Sequence, residues 1–204
     1  MAIRTRNLFP TTIAEGRVAG HAALNRRLLA DIATFSRQDK MGRDWSAENY
    51  RGGYSSYASL NDMHRRSPVF SRFEELMAPH AEAFARAQGW ERRGLELVMT
   101  DCWMNVMGKF SYHALHFHPH SAISGTYYVA IPPRSAGLKI EDPRMAFYMN
   151  APLRRGPRGA LYHTVSPKPG SFVLFESWLR HEVPPNHASG PRVSLSFNYA
   201  LERP

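Results

Sequence analysis

The sequence predicts an α+β chain: helices in the first half, then a sandwich or jelly roll of short strands. Up to about residue 90, apolar residues recur at spacings of three and four; from Leu95 they fall into short runs broken by Gly and Pro. Aromatics make up 12% of the residues, with fifteen Pro and fourteen Gly, a composition that leans toward turn-rich β architecture. At 204 residues, 43% hydrophobic and 21% charged, the chain is long enough to bury a sizeable core. The expected organisation is a single domain, 1–204, with a mainly helical part at 1–92 and a β core at 93–204.

The first helix is read from Leu24, Leu28, Ile32 and Phe35, which make one stripe, with Arg26, Arg27, Asp31 and Arg37 off it. A second helix begins at Ser67-Pro68, an N-cap followed by proline at the first helical position. Its apolar face is Phe70, Phe73, Leu76 and Met77. Pro79 is expected to break or kink it, and Gly89 to end its continuation through Ala81, Phe84, Ala85 and Ala87. Between the two helices, Asn49 to Ser56 is a glycine-rich aromatic loop without a phosphate-loop pattern. The expected strands are Leu95–Met107, Tyr112–His118, Ile123–Ile131, Leu138–Glu141, Ala160–Val165, Ser171–Phe175, Arg180–Val183 and Arg192–Ala200. A β-rich half preceded by helices argues against a doubly wound fold, and the helices are expected to pack on a sheet.

Several function classes are set aside on composition. No uncharged apolar stretch approaches a membrane span, and Met1 to Pro10 has no apolar core of a secretory signal. Cys102 is the only cysteine, so neither an intrachain disulfide nor a cysteine-rich zinc site is expected; a cytoplasmic location fits. The net charge of +9 raises the prospect of nucleic-acid binding, which would be strongly salt-dependent. Its carriers are scattered, however, in pairs such as Arg26-Arg27 and Arg154-Arg155, so surface composition is the preferred reading and nucleic acid is not an expected partner. A homodimer is left open.

The least random feature is a histidine cluster: His113, His116, His118 and His120. Side chains alternate along a strand, so His116 and His118 share a face and can hold one metal ion, while His113 points to the opposite face. Pro119 makes it doubtful that His120 stays in register; His120 is kept as an alternative ligand or a partner to one. A third ligand must come from elsewhere. The segment Pro169 to Val183 reads as a turn, a strand, a bend and a second strand starting at His181; Arg192 and Ser194 follow.

Together these segments resemble the iron(II)- and 2-oxoglutarate-dependent oxygenases. That pattern is His-x-Asp/Glu on one strand, a distant His on another, and a basic residue about ten positions after it. The resemblance is closer to a bacterial and phage subgroup carrying Leu8-Phe9-Pro10-Thr11, the Asn49 to Ser55 loop, the His116 to Tyr128 core, Asp142-Pro143-Arg144 and Ser196-Phe197-Asn198. It spans nearly the whole chain.

The resemblance implies a double-stranded β-helix (jelly roll, cupin-like) with N-terminal helices packed on the sheet. It implies Fe(II) as cofactor, held by His116, His118 and His181, and 2-oxoglutarate as co-substrate. Arg192 would clamp the far carboxylate, since its planar fork pairs a carboxylate bidentately, and Ser194 would extend the pattern. Tyr127 and Tyr128 face opposite ways and one should point into the pocket; Tyr128, Asn105, Trp103 and Asn198 are further candidates, with core packing the competing role. The implied reaction hydroxylates a small-molecule or peptide substrate and releases succinate and CO2. The loops around Asn49–Ser56 and Pro143–Arg158 would shape the substrate pocket, and Arg144, Arg154, Arg155 and Arg158 could favour an acidic substrate.

One departure stands out. His118 occupies the carboxylate position, and no Asp or Glu lies between Lys109 and Glu141. Unless Glu141, Asp142 or Glu176 reaches the metal, the site has three neutral imidazoles. That set also suits zinc, so the alternative is a metal-binding barrel with other chemistry, a zinc hydrolase or a three-histidine dioxygenase, for which Arg192 would not be needed.

Overall fold

In a computed structural model, which describes residues 3–144, 149 and 160–204, the N-terminal half carries four helices and two strands. They are β1 (Ile13–Arg17), α1 (His21–Gln38), α2 (Lys40–Asn49), β2 (Gly53–Ser55), α3 (Met63–Arg66) and α4 (Pro68–Ala87). Eight strands follow: β3 (Glu96–Met107), β4 (His113–His116), β5 (Ile123–Ala130), β6 (Leu138–Glu141), β7 (Tyr162–Val165), β8 (Ser171–Glu176), β9 (His181–Val183) and β10 (Arg192–Glu202). Each corresponds to one of the eight expected strands.

The helix signals act as their chemistry requires. The Ser67 hydroxyl accepts from the Val69 N–H and Pro68 opens α4. At the other end Gly89 takes φ +71°, while the Gly89 and Trp90 amides reach back to Arg86 and Ala85. This left-handed stop satisfies two of the last carbonyls. Pro79 does not break α4, which runs through it. Pro79 and Glu75, whose carbonyl loses its partner, are both exposed, so water can replace the missing bond. The loop expected at Asn49–Ser56 contains β2, and β1 was not anticipated at all.

The strands form two antiparallel sheets, ordered β1-β8-β5-β10-β3-β2 and β4-β9-β6-β7. From β3 to β10 the chain repeatedly crosses between them, as in a double-stranded β-helix. The two faces of the large sheet have different fates. On the outer face, Cys102, Met104, Tyr127, Leu174, Leu195 and Phe197 pack with Leu28 and Ile32 of α1 and Phe70, Phe73 and Met77 of α4. Phe73 sits 5.1 Å from the Tyr127 ring and 5.4 Å from Phe197. Asn25, buried on α1, donates to the Val129 carbonyl at 2.8 Å and accepts from the Tyr127 hydroxyl at 2.6 Å, which pins the helix to β5. Between the sheets lies a second apolar cluster of Met107, Leu138, Ile140, Val165, Val173, Phe175 and Val183.

At Gly125 β5 has no room for a side chain, because an added Cβ would meet the Phe197 ring and the Leu174 side chain. Gly125→Ala should therefore destabilise the fold by about 1–3 kcal/mol through overpacking, seen as a lowered urea midpoint at unchanged slope.

Candidate active site

The register of the large sheet lines up the polar residues facing the small sheet. β10 pairs Arg192 with Met107, Ser194 with Asn105 and Tyr128, Ser196 with Trp103 and Thr126, and Asn198 with Asp101 and Ser124. Because side chains alternate, Arg192, Ser194, Ser196 and Asn198 share the inner face. From the small sheet, β9 contributes His181 opposite His116 of β4.

His116, His118 and His181 offer ligand atoms that all lie within 4.8 Å of one another. His118 lies beyond the end of β4, and its amide donates to the Ser177 carbonyl, which fixes the loop on which it sits. The hydrogen bonds select the tautomer. Nδ1 of His116 faces the Ala114 carbonyl at 2.6 Å, and Nδ1 of His181 the Leu179 carbonyl at 2.9 Å. Nδ1 of His118 faces the Asn198 Oδ1 at 2.7 Å. A carbonyl only accepts, so each Nδ1 carries the proton and each Nε2 lone pair is free for a metal. Among the described residues no carboxylate joins the group. Glu141 pairs with Arg180, and Asp142 with Arg144.

Two other histidines differ from expectation. His113 does not face away. Four residues of β4, His113 to His116, span three of β9, a bulge that turns His113 to the His116 side, where it stacks on Tyr50 at 4.4 Å. His120 is exposed with a left-handed φ of 66°, turned out of the cluster just after Pro119.

Arg192 is 1% exposed, and its neighbours are neutral. Nε donates to the Ala136 carbonyl at 3.0 Å and Nη1 to the Ser194 hydroxyl at 3.1 Å; the guanidinium lies 5.2 Å from the centre of the Tyr128 ring. Nη2 is buried without a partner, as are the hydroxyls of Tyr128 and Tyr50. A buried guanidinium with an unpaired donor and no carboxylate partner is costly unless an anion completes it. Burial raises the Tyr128 hydroxyl to about 12 and the Tyr50 hydroxyl further, so both remain donors. Tyr128 is thus the pocket tyrosine, with Tyr127 on the helix side. Tyr50, supplied by the N-terminal half, was not anticipated. Asn105 lies on the same inner face, where its amide accepts from Ser55 and donates to Ser196. Trp103 stands 5.6 Å from the His118 ring and continues to Tyr57 at 5.3 Å.

Two clefts flank the space between the sheets. One, of about 460 Å³, includes Trp45, Asn49, Tyr50, Tyr112 and His113 in its lining. The other, of about 650 Å³, includes Leu8, Phe9, Ile13, Ile140 and Leu161. Arg154, Arg155 and Arg158 lie outside the described residues.

Residues 101–198 match the family model described as "Putative 2OG-Fe(II) oxygenase". That stretch, just under half of the chain, resembles the core of 2OG-Fe(II) oxygenases. A crystal structure of a Pseudomonas putida prolyl-4-hydroxylase is similar at TM-score 0.62 and 18% identity, covering 95% of this chain and 94% of that one. HygX from Streptomyces hygroscopicus, with nickel and 2-oxoglutarate bound, is similar at TM-score 0.61 and 12% identity over 93% and 83%. The viral collagen prolyl hydroxylase of Paramecium Bursaria Chlorella virus-1, in its 2OG complex, has TM-score 0.55 and 11% identity over 93% and 96%. At these identities the likeness concerns the fold. Comparison with curated sequences gives no match. The oxygenase family uses Fe(II) and 2-oxoglutarate, and the residues present fit both: three convergent imidazoles for the metal and a buried, unpartnered guanidinium for an anion. No helix among the described residues is long and apolar enough to cross a membrane.

Burial, reinforced by the neighbouring imidazoles, lowers His181 to about 3. For His113 burial is again the main cause, with His116 and Arg192 adding to it, and its value is also about 3. Burial brings His118 to about 4 despite its bond to Asn198, and lowers His116 as well. An unfolded histidine titrates near 6.5, so between about pH 4 and 6.5 the unfolded chain binds more protons than the folded one. Stability of the metal-free protein should be complete above pH 6.5 and fall as pH drops toward 4. Chemical denaturation across that range checks this, and His181→Ala should flatten the slope.

Proposed function

We propose that the protein is an Fe(II)- and 2-oxoglutarate-dependent oxygenase that hydroxylates a small-molecule or peptide substrate and releases succinate and CO2. The observation that carries this reading is the fully buried Arg192, with a free Nη2 and no acidic partner among the described residues, on the face of the large sheet that looks toward the small sheet carrying His116 and His181. A metal barrel with hydrolytic chemistry gives that buried cation nothing to do.

In this reading His116, His118 and His181 hold the iron through Nε2, and the acceptors on their Nδ1 protons keep the rings oriented. Arg192 takes the far carboxylate of 2-oxoglutarate. Ser194 holds one arm of the guanidinium, and the Tyr128 hydroxyl adds a donor. The apolar residues between the sheets exclude water from this end of the pocket, which strengthens the charge pairing. Iron, when bound, supplies the redox chemistry by which dioxygen is divided between the substrate C–H bond and succinate. The prolyl hydroxylases of similar fold make a peptide a reasonable first substrate class to screen, and the clefts beside His113 and Ile140 are the routes by which a substrate would approach.

The test is anaerobic titration with Fe(II) and then 2-oxoglutarate, following the weak visible charge-transfer band of the chelate. Arg192→Ala should retain iron and lose about 2–5 kcal/mol of co-substrate binding, a rise in Kd of roughly thirtyfold or more. Iron binding without any band in the unaltered protein would remove 2-oxoglutarate from the proposal.

A further inference from the structure

The ligand set lacks a negative charge, yet one stands a single residue behind it. Asn198 Oδ1 accepts from His118 Nδ1 at 2.7 Å, and Asn198 Nδ2 donates to Asp101 Oδ2 at 3.3 Å. The orientation of the amide follows from its two neighbours, because a carboxylate can only accept from Nδ2 and leaves Oδ1 for the imidazole N–H. Ser124 Oγ, 2.9 Å from both His118 Nδ1 and Asn198 Oδ1, and 2.8 Å from Ser177 Oγ, braces the junction. Among the described residues Asp101 itself receives only neutral hydrogen-bond donors: Asn198, the Thr100 hydroxyl at 2.9 Å and the Asn61 amide at 3.2 Å. Its charge is therefore held but not cancelled. Of the three imidazoles, two lean on backbone carbonyls, and His118, the one in the carboxylate position, leans on a side chain that leads to an aspartate.

We infer that Asp101 is a positioning residue for the metal centre: through Asn198 it polarises the His118 imidazole and supplies, at one remove, the negative charge that the ligand set lacks. The physical basis is that an acceptor on the non-ligating nitrogen raises the basicity of a ligating imidazole, more so when the acceptor is itself polarised by a charge. Where a carboxylate ligand would put its charge on the metal, this chain delivers it through an amide. The inference rests on the reading that His118 binds metal.

The test compares four full-length proteins: unaltered, Asp101→Asn, Asn61→Ala, and the exchange Asp101→Asn with Asn198→Asp. Fe(II) affinity is measured anaerobically by competition with a chelator, the chelate band is recorded with 2-oxoglutarate, and thermal melting of the metal-free proteins monitors folding. Asp101→Asn keeps the side-chain shape and removes the charge. It should weaken Fe(II) binding about tenfold, within the range typical for such outer partners, and move the band to higher energy, because a less basic ligand lowers the metal donor orbital. Asn61→Ala removes a contact but leaves the charge, and should leave affinity and band unchanged. The exchange variant places the carboxylate directly on His118 and should restore affinity and return the band to its original energy or below. Asp101→Asn melting normally with affinity within twofold and an unmoved band would overturn the inference, as would an exchange variant that folds without regaining affinity. Loss of all metal binding in the unaltered protein would instead defeat the reading of the histidine site. A changed affinity with no band in any variant would leave the Asp101 inference standing and defeat the co-substrate reading.

Discussion

The pairing of β10 with β3 on one side and β5 on the other is the constraint from which the rest follows. One strand, hydrogen-bonded on both edges, sets the register of three, and its alternation separates two environments. Val193, Leu195 and Phe197 go to the helices; Arg192, Ser194, Ser196 and Asn198 go to the interior of the barrel. A one-residue slip would place Arg192 against the helices and Phe197 against the histidines. The tight fit at Gly125, the asparagine pin from α1 and the aromatic contacts of Phe73 all defend that register.

The site is an arrangement of unbalanced charge. Three neutral imidazoles meet at one end of the pocket, a guanidinium without an acidic partner occupies the other, and burial keeps the imidazoles unprotonated at neutral pH. Such a cavity is unfavourable when empty, since buried polar groups cost free energy until they are paired. The cost is tolerable because a metal and an anion can each meet groups already oriented for them, so little ordering is required on binding.

Much of this was legible in the residues. Each of the eight β-core strands appears as a short run between turn residues, and His116 and His118 do meet as strand periodicity led one to expect, although His118 is held there by the loop after β4 and not by the strand. The cap at Ser67-Pro68 and the stop at Gly89 were readable because their chemistry is local. What escaped notice was either weakly patterned or long-range. The α2 segment, Lys-Met-Gly-Arg-Asp-Trp-Ser-Ala-Glu-Asn, has no apolar stripe, and β1 and β2 are short strands at the edges of the large sheet. The bulge that turns His113 toward His116 depends on one extra residue relative to β9, which nothing in the β4 sequence announces. Tyr50 joins the pocket, and Asp101 reaches His118, only through contacts far apart in the chain. Of the expected break or kink at Pro79, the break does not occur, because the exposed side of a helix can spare one hydrogen bond.

The three candidate ligands belong to two distant stretches, at positions 116 to 118 and at position 181. An ion shared between them would act as a removable cross-link, closing a loop that contains β5, β6, β7 and β8. Because the three nitrogens converge only in the folded chain, the ion would favour that state without constraining the unfolded one. Occupancy and persistence of the barrel would then be linked quantities, with the concentration of free metal setting how firmly β4 and the loop after it stay on β9.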